Sequence, residues 1–318
     1  MLQFWLLNFN TTSTFLRLIS RDFDGGEMSA FTQTLMIDTH CHLDFADYEP
    51  DLESVLQNAF SAGVKQIIIP AADIATLPKA QEIAKKYDNV FFAVGTHPCD
   101  IDTFDMAVLR EFISDKKCVA VGECGLDYFR LPQSSDTAQV EQYKQRQKEV
   151  FIAQINLALE FDKPLIVHIR EASNDALEIL NDFKNARGVL HCYNADKALL
   201  SLSERFFYGI GGICTFKNAE ALLEILPLIP KDRILLETDA PYLTPHPHRG
   251  TRNEPKYIPL IAQKIAEVLG ICFTEVCSQS TQNAYNLFNQ MPHLQSFQSS
   301  NVADTNSINT YLPKEQVV

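Results

Sequence analysis

The chain has 318 residues, with 27 Lys and Arg against 40 Asp and Glu, so its formal net charge is −13. This charge argues against a broad basic surface for nucleic acid, but it allows a phosphate substrate at a metal site, where bound cations dominate the local field. The apolar content of 46% is that of a globular protein, and no apolar run is long enough to span a membrane. Eight cysteines without a Cys-x-x-Cys pair indicate reduced thiols in the cytoplasm, not a disulfide framework.

The two ends of the chain differ from its middle. Leu2 to Leu7 is apolar, but the first basic residue is Arg17, which makes residues 1–35 a poor secretory signal. We expect these residues to be a loosely ordered leader or an over-extended start. Residues 290–318 are rich in Gln, Ser and Asn and are predicted to be a disordered tail. A single domain is therefore expected over residues 36–289, with a monomer as the default.

Short apolar runs alternate with amphipathic stretches from Met36 onward. Strands are predicted at 35–39, 66–71, 90–96, 118–122, 164–169, 188–192, 207–213 and 233–238. Helices are predicted at 51–62, 74–87, 104–114, 139–161, 174–183, 195–204, 219–228 and 255–269, with an extra one at about 274–288. Eight strand-then-helix units favour an α/β fold, a closed (β/α)8 TIM-like barrel with an extra C-terminal helix, over an open sheet.

Residues of the types that bind metals end five of the predicted strands. They are His40 and His42 after the first strand, Glu123 after the fourth, His168 after the fifth, His191 after the sixth and Asp239 after the eighth. The carboxyl ends of barrel strands open into one mouth, so these side chains are expected to meet there. Four imidazoles and two carboxylates suit two divalent ions such as Mg, Mn or Zn.

Two carboxylates are assigned the catalytic roles in this set. Glu123 is the candidate bridge between the ions, and Asp239 is a candidate ligand that also orients or deprotonates the attacking water. Each residue has a simpler explanation, since a lone buried His is more often a core residue, and Asp44 or Asp239 can cap a turn. Five strand ends with the same property make coincidence the poorer explanation.

These residues lie in motifs that resemble a known family. The motifs are Asp38-Thr39-His40-Cys41-His42-Leu43-Asp44, Gly95-Thr96-His97-Pro98, Gly122-Glu123-Cys124-Gly125-Leu126-Asp127, Val167-His168-Ile169-Arg170, Leu190-His191-Cys192-Tyr193 and Leu236-Glu237-Thr238-Asp239-Ala240-Pro241. From Met36 to about Phe288 the chain resembles the TatD-type metal-dependent deoxyribonucleases of the amidohydrolase superfamily.

The resemblance implies a TIM-like barrel whose metals are held by His40, His42, Glu123, His168, His191 and Asp239. It also implies phosphodiester hydrolysis on DNA, at a single strand or strand end, as a 3'-5' exonuclease. Many members of the superfamily bridge their metals with a carboxylated lysine. Glu123 stands at the fourth strand here, which fits the nuclease-like branch.

Four further residues are candidates for contact with the substrate. His97 follows the third strand, in a motif where the family carries a His, and is either a phosphate contact or a structural residue braced by Pro98. Arg170 faces the same way as His168 and is suited to binding a phosphate. Its alternative is an ion pair with Glu171 or Asp175.

Asp127 and Arg249 complete this group. Asp127 is expected to orient His or Arg side chains. Arg249 lies in the Pro-, His- and Arg-rich loop 244–254, which is sited to gate the mouth. His246 and His248 of that loop are expected to be exposed and not ligands.

Two other functions remain open at this point. The same metal site would serve a deacylase or amidohydrolase that cuts an ester or amide, for example in aminoacyl-tRNA. A non-enzymatic scaffold is the third possibility, and it is disfavoured because such a protein is expected to have lost ligands. DNA cleavage by a metal-activated water is the leading prediction.

Overall fold

A computed structural model describes residues 34–132 and 136–294 of the chain. Eight strands form one sheet in sequence order, and every neighbouring pair is parallel. They are β1 (Met36–Asp38), β2 (Val64–Ile69), β3 (Val90–Val94), β4 (Cys118–Asp127), β5 (Leu165–Arg170), β6 (Gly188–Leu190), β7 (Phe206–Ile210) and β8 (Ile234–Leu236). Just beyond β1 and β8, Cys41 forms an isolated parallel bridge with Ala240, and the Thr39 N–H donates to the Leu236 carbonyl at 3.1 Å. The predicted (β/α)8 barrel is confirmed.

Helices follow seven of the eight strands. They are α1 (Leu52–Ser61), α2 (Leu77–Lys86), α3 (Met106–Ile113), α4 (Thr137–Glu160), α5 (Ser173–Asp182), α6 (Glu220–Ile225) and α7 (Ile258–Leu269), with α8 (Phe273–Leu287) as the extra helix. Single 3-10 turns lie at Ala46–Tyr48, Ile74–Thr76, Ile101–Thr103, Gly212–Thr215, Leu226–Leu228, Lys231–Arg233 and Pro255–Tyr257. None of these helices is long and apolar enough to cross a bilayer.

Two of the predicted helices are wholly or partly 3-10 helices. The segment predicted at 195–204 is a 3-10 helix, Lys197–Leu202. The segment predicted at 219–228 is α-helical only to Ile225 and continues as a 3-10 turn. Pro227 lacks the N–H that an α-helical bond would need, which accounts for the change.

The amino end of the barrel is filled and closed. One buried cluster takes apolar side chains from every strand, among them Ile37, Phe91 and Phe207, together with Phe288 and Met291 from beyond the barrel. Phe288 is fully buried, and a side chain of that size stabilises the fold by about 1.5–3 kcal/mol. The carboxyl end is therefore the face left for a functional site.

The start of the predicted tail packs on this closed end. Met291 is buried, the His293 ring stacks on Tyr285 with centroids 4.1 Å apart, and the Leu294 N–H donates to the Tyr285 hydroxyl at 3.0 Å. Residues 1–33 of the predicted leader and 295–318 of the predicted tail lie outside the described residues. All eight cysteines are free, as expected.

Strand β4 runs five residues further than predicted, from the expected end at Gly122 to Asp127. Its register against β5 shifts between Val121 and Cys124. Gly122 and Gly125 have φ of +150° and +136°, and a Cβ at either position would lie 2.5 Å or less from a carbonyl oxygen of β5. Only glycine allows this close approach, which carries the chain past β5 and brings residue 123 to the mouth.

Two glutamines of α4 hold the ends of β3 and β4. Gln154 accepts from the Thr96 N–H at 2.8 Å and donates to the Thr96 carbonyl at 3.0 Å. Gln147 makes the same pair of bonds with the backbone of Asp127, at 2.9 and 3.0 Å. Both glutamines are fully buried and lie seven residues apart, hence on one face of the helix. They satisfy backbone groups that would otherwise be buried without partners.

Candidate metal centre

Glu123 lies at the centre of the predicted ligands, at the carboxyl end of the barrel. Its Oε2 is 3.4 Å from His40 Nε2 and 3.8 Å from His42 Nε2. Its Oε1 is 2.9 Å from His168 Nδ1 and 3.1 Å from His191 Nε2. Each oxygen of one carboxylate thus faces its own pair of histidines.

Asp239 lies beside the first of these pairs. Its Oδ1 is 3.6 Å from His40 Nε2 and 3.5 Å from His42 Nε2. The Asp239 N–H donates to the His40 carbonyl at 2.9 Å, so the backbones after β1 and β8 are joined at the site. The Asp239 side chain is 16% exposed and that of Glu123 5%, which makes Asp239 the carboxylate that solvent reaches more easily.

The spacing of these atoms fits cations held between them. Ligands about 2.0–2.1 Å from a tetrahedral ion lie about 3.3–3.4 Å from one another. The contacts of His40 and His42 with Glu123 and Asp239 span 3.4–3.8 Å. Ligand atoms of His40, His42 and Asp239 lie within 4.8 Å of one another, as do those of His97, Glu123 and His168.

Buried histidine nitrogens without hydrogen bonds also indicate a cation-binding site. Both ring nitrogens of His40, and Nδ1 of His42, are buried and have no hydrogen-bond partner. Buried polar atoms in folded proteins nearly always have a partner, so such a group needs an explanation. A divalent cation that accepts the Nε2 lone pair of His40 supplies one, and the mixed nitrogen and oxygen donors suit Zn, Mn or Mg.

The charges of the site keep both carboxylates ionised. Burial alone would raise the pKa of Glu123, but the charge of His191 beside it and the contacts with His168 hold that pKa well below its usual range. Burial likewise opposes ionisation of Asp239, and the contact with His42 and the charge of His191 lower its pKa. Both groups therefore present anionic oxygens at neutral pH, the form that binds cations.

His97 is the third histidine on the Oε1 side of Glu123. Its Nε2 lies 3.6 Å from that oxygen, and its ring is 4.5 Å from the ring of His168. Burial lowers the pKa of His97 to about 4, although Glu123 opposes the shift. His97 is thus a neutral imidazole at the centre, able to donate a hydrogen bond but carrying no positive charge.

Two carboxylates contact the outer nitrogens of the histidines. Asp127 Oδ2 is 3.2 Å from His168 Nε2, while Nδ1 of the same ring faces Glu123. Glu237 Oε1 is 3.4 Å from His191 Nδ1 and accepts from the Cys192 N–H at 2.6 Å. Partners of this kind fix the orientation of a metal-binding ring.

Sequence reasoning assigned no role to Glu237 or to Asp38. Asp38 accepts from the Thr238 hydroxyl at 2.6 Å, from the Thr238 N–H at 3.0 Å and from the His40 N–H at 3.2 Å. It therefore joins the two segments that carry His40 and Asp239. The sequence feature that could have indicated these roles is that Asp38 and Glu237 each lie next to an apolar run in their motif.

The chain matches a family model described as TatD related DNase over residues 37–289. The chain belongs to this family. It is 40% identical over 261 residues to the metal-dependent hydrolase YabD of Bacillus subtilis, covering 80% of this chain and 99% of that protein. It is 35% identical over 267 residues to a relative in Erwinia tasmaniensis named 3'-5' ssDNA/RNA exonuclease TatD, covering 80% of this chain and 100% of the relative.

A solved structure agrees with this assignment. The crystal structure of YJJV, a TatD homolog from Escherichia coli K12, superposes with a TM-score of 0.70 at 30% identity, over 80% of this chain and 98% of that one. The chain is therefore a hydrolase of the TatD family, and the relatives of the chain include metal-dependent hydrolases. The predicted family and enzyme class are confirmed.

The two arginines predicted to meet phosphate both lie against aromatic rings of the rim. The Arg170 guanidinium is 3.7 Å from the ring centroid of Phe129, and that of Arg249 is 3.9 Å from the centroid of Phe216. The alternative partner of Arg170, Asp175, instead pairs with Lys148 at 2.7 Å. In this TatD-family barrel Arg170 ends β5, the strand that carries His168, and Arg249 lies in the loop that follows β8 and Asp239.

The remaining sequence predictions concern residues near the ligands. Cys41 and Cys124 are fully buried in the apolar core, whereas Cys192 is half-buried. His248 is exposed and stacks on Tyr257 with centroids 4.6 Å apart. His246 is half-buried, and its N–H donates to the Thr215 hydroxyl at 2.9 Å. Neither histidine belongs to a group of possible metal ligands among the described residues.

Proposed function

We propose that the protein is a 3'-5' exonuclease that cleaves phosphodiester bonds at single-stranded ends of DNA, with two divalent ions as cofactors. The observation that carries the proposal is the position of Glu123, which presents one oxygen to His40 and His42 and the other to His168 and His191. A carboxylate between two sets of ligands is the arrangement of two-metal phosphodiesterases. The family and the activity for which the Erwinia relative is named support the choice of substrate.

Each ion has its own set of residues in this proposal. His40, His42 and Asp239 would hold one ion with Glu123 Oε2, and His168 and His191 the other with Glu123 Oε1. When bound, the ions supply Lewis acidity, which lowers the pKa of water and offsets negative charge on the phosphoryl oxygens. Mg, Mn and Zn all accept this mixture of imidazole and carboxylate.

Asp239 takes the proton of the attacking water. Its pKa is lowered, so it is a carboxylate at neutral pH, and it is more exposed than Glu123. Water entering from the mouth therefore reaches Asp239 first, and a carboxylate at hydrogen-bond distance can orient the water and accept its proton.

Arg170, Arg249 and His97 position the substrate. The two guanidinium groups bind phosphate oxygens with paired N–H donors. His97, neutral because of its burial, donates a hydrogen bond to a phosphoryl or leaving oxygen on the Glu123 Oε1 side. Asp127 acts through His168, which it holds from the far side of the ring, and does not touch the substrate.

The test is hydrolysis of single-stranded DNA by protein that has been treated with a chelator and then given Mg, Mn or Zn. Release of labelled mononucleotide from a 3' label, with a shortening ladder from a 5' label, is the expected result. Asp239→Ala and Glu123→Ala should abolish it, whereas Glu178→Ala, which removes an exposed carboxylate on α5, should not. A shortening ladder from the 3' label would refute the proposed 3'-5' direction of digestion.

Aminoacyl-tRNA offered in the same assay tests the acyl-transfer alternative. Metal-dependent deacylation with DNA left intact would support the metal centre but would show that the reaction is ester hydrolysis of aminoacyl-tRNA. Retained turnover of DNA in Asp239→Ala would refute the site itself.

The organisation of the protein in the cell is the last part of the proposal. We infer a cytoplasmic monomer, on the basis of eight free cysteines and a barrel with its own closed core. Sedimentation equilibrium checks the monomer: a mass near 35.9 kDa is expected, and twice that value would refute it.

A further inference from the structure

Two aromatic rings are exposed at the mouth of the barrel. Phe129 and Tyr242 are each 56% exposed, and the other exposed large hydrophobic side chains among the described residues are Leu159 and Leu228. Phe129 follows β4 and Tyr242 follows β8. Strands four apart in a closed eight-stranded barrel lie across from each other, so the rings stand on opposite sides of the mouth.

Phe129 is tied to the metal centre by a short series of contacts. Its N–H donates to Asp127 Oδ1 at 2.9 Å, and Oδ2 of the same carboxylate lies 3.2 Å from His168 Nε2. His168 Nδ1 in turn is 2.9 Å from Glu123. The Arg170 guanidinium covers one part of the ring at 3.7 Å, so a cationic plane and an aromatic plane stand together. The position of Phe129 relative to the centre is therefore fixed.

Tyr242 is tied to the opposite side of the centre. Its N–H donates to the Asp239 carbonyl at 2.9 Å, and its own carbonyl accepts from the Asn253 amide at 2.6 Å. Its ring meets Phe45 edge-on at 6.2 Å, and Phe45 stacks on the ring of His42 at 4.5 Å. A continuous aromatic series thus runs from the exposed ring to a candidate ligand.

We propose that Phe129, with Arg170, and Tyr242 are two platforms on which unpaired nucleobases stack on either side of the phosphodiester being cut. The proposal rests on the function proposed above. Aromatic rings and guanidinium planes hold bases of any sequence by stacking, as single-strand binding proteins do. A chain of net charge −13 needs such contacts, because its overall field repels a polyanion.

The placement of the rings also selects single strands. In a duplex the two bases that flank a phosphate stack on each other and are paired, so they cannot rest on platforms on opposite sides of the mouth. Separating them costs free energy that an unpaired end does not require. The platforms therefore make the end of a single strand the better substrate.

The test compares kcat/KM on a single-stranded oligonucleotide, on a blunt hairpin of the same sequence, and on oligonucleotides with an abasic residue on either side of the terminal phosphodiester. Phe129→Leu and Tyr242→Leu keep an apolar side chain and remove the ring. Each should lower kcat/KM on the single strand about tenfold, the usual effect of losing one base–aromatic stack, and reduce the preference over the hairpin. Each variant should also become insensitive to an abasic residue at one of the two positions. Phe129→Trp should restore both properties.

Leu228→Ala is the matched control, because Leu228 is 53% exposed and precedes β8, at the closed end of the barrel. It should behave as wild type. Equal losses of kcat/KM on normal and abasic substrates in the Leu variants, or no loss on either substrate, would overturn the proposal of stacking platforms.

Failure of the proposed function is distinguished by a binding measurement. If the wild type cleaves no oligonucleotide with any of the three metals, the exonuclease proposal fails. Fluorescence anisotropy with the same labelled single strand then tests base stacking on the two platforms independently of cleavage. A dissociation constant about ten times weaker in each Leu variant would support them, and an unchanged or absent affinity would overturn them.

Discussion

Gly209 on β7 leaves the space in which the Glu237 carboxylate lies. A Cβ at position 209 would stand 2.1 Å from Glu237 Oε2 and 2.6 Å from Cδ, far inside ordinary van der Waals contact. The strand itself is held, since the Gly209 carbonyl accepts from the Tyr193 N–H at 3.0 Å and the residue pairs with Leu235 of β8. In Gly209→Ala the carboxylate therefore has to move.

Displacement of Glu237 breaks its contacts with Cys192 and His191. The Cys192 N–H, 2.6 Å from Oε1, would lose its acceptor, which costs about 1–3 kcal/mol when the group is left unsatisfied. Crowding at the glycine adds about 1–3 kcal/mol. A total of about 2–6 kcal/mol corresponds to a fall in Tm of about 4–12 °C for a barrel of this size, at about 2 °C per kcal/mol. Loss of the partner of His191 should also weaken metal binding about 10–100-fold.

The assay pairs thermal unfolding with metal affinity measured by competition against a chelating indicator. Gly211→Ala is the control, because the nearest atoms to its new Cβ are the carbonyl oxygen of Glu237 at 3.5 Å and its Cγ at 3.6 Å, ordinary contacts. Its backbone is extended, at φ −109°, so alanine fits without strain. Equal effects in both variants, or wild-type metal affinity in Gly209→Ala, would refute the role given to Glu237.

Three further predictions follow from the same structure. Gln147→Leu leaves both backbone groups of Asp127 without partners and should lower the free energy of unfolding in urea by about 2–4 kcal/mol, while Gln142→Leu on the exposed face should not. Arg249→Gln removes one exposed charge and should raise KM for DNA about two- to fivefold at unchanged kcat, and Arg249→Lys less; equal KM values would exclude a phosphate contact. Deletion of residues 1–35 removes the hydrogen bond from the Thr281 hydroxyl to the Leu35 carbonyl and should leave hydrolysis unchanged; insoluble protein would show that this segment packs on the barrel.

The order of the strands was predictable because parallel strands buried on both faces appear as continuous apolar runs. The end of β4 was not. Gly122 and Gly125 are typical of a strand that stops. Their effect depends on the β5 carbonyls that lie against them, 2.5 Å or less from where a Cβ would stand, and that proximity exists only once the two strands pair.

The candidate ligands were predictable for a different reason. The fold has no need of an imidazole at the end of a strand, so His168 and His191 stand out against the apolar residues before them. The role of Glu237 could not be predicted in this way, because its position depends on Gly209, a residue 28 positions earlier whose missing side chain leaves space for the Glu237 carboxylate. The histidine that Glu237 supports follows a third strand, β6, and only the closed barrel brings the three residues together.

The charge of the chain and the charge of its mouth have opposite consequences for a polyanionic substrate. A net charge of −13 repels DNA, and because salt screens this repulsion beyond about a Debye length, roughly 8 Å at physiological salt, it acts only on DNA that lies close to the protein surface. Two divalent cations held by Glu123 and Asp239 would reverse the sign locally, and Arg170 and Arg249 lie on the same rim. Attraction is then confined to the few nucleotides that enter the mouth, while a longer duplex meets the acidic remainder. A strand end that can leave its partner and lie across the barrel satisfies both conditions, and the interior of a duplex satisfies neither.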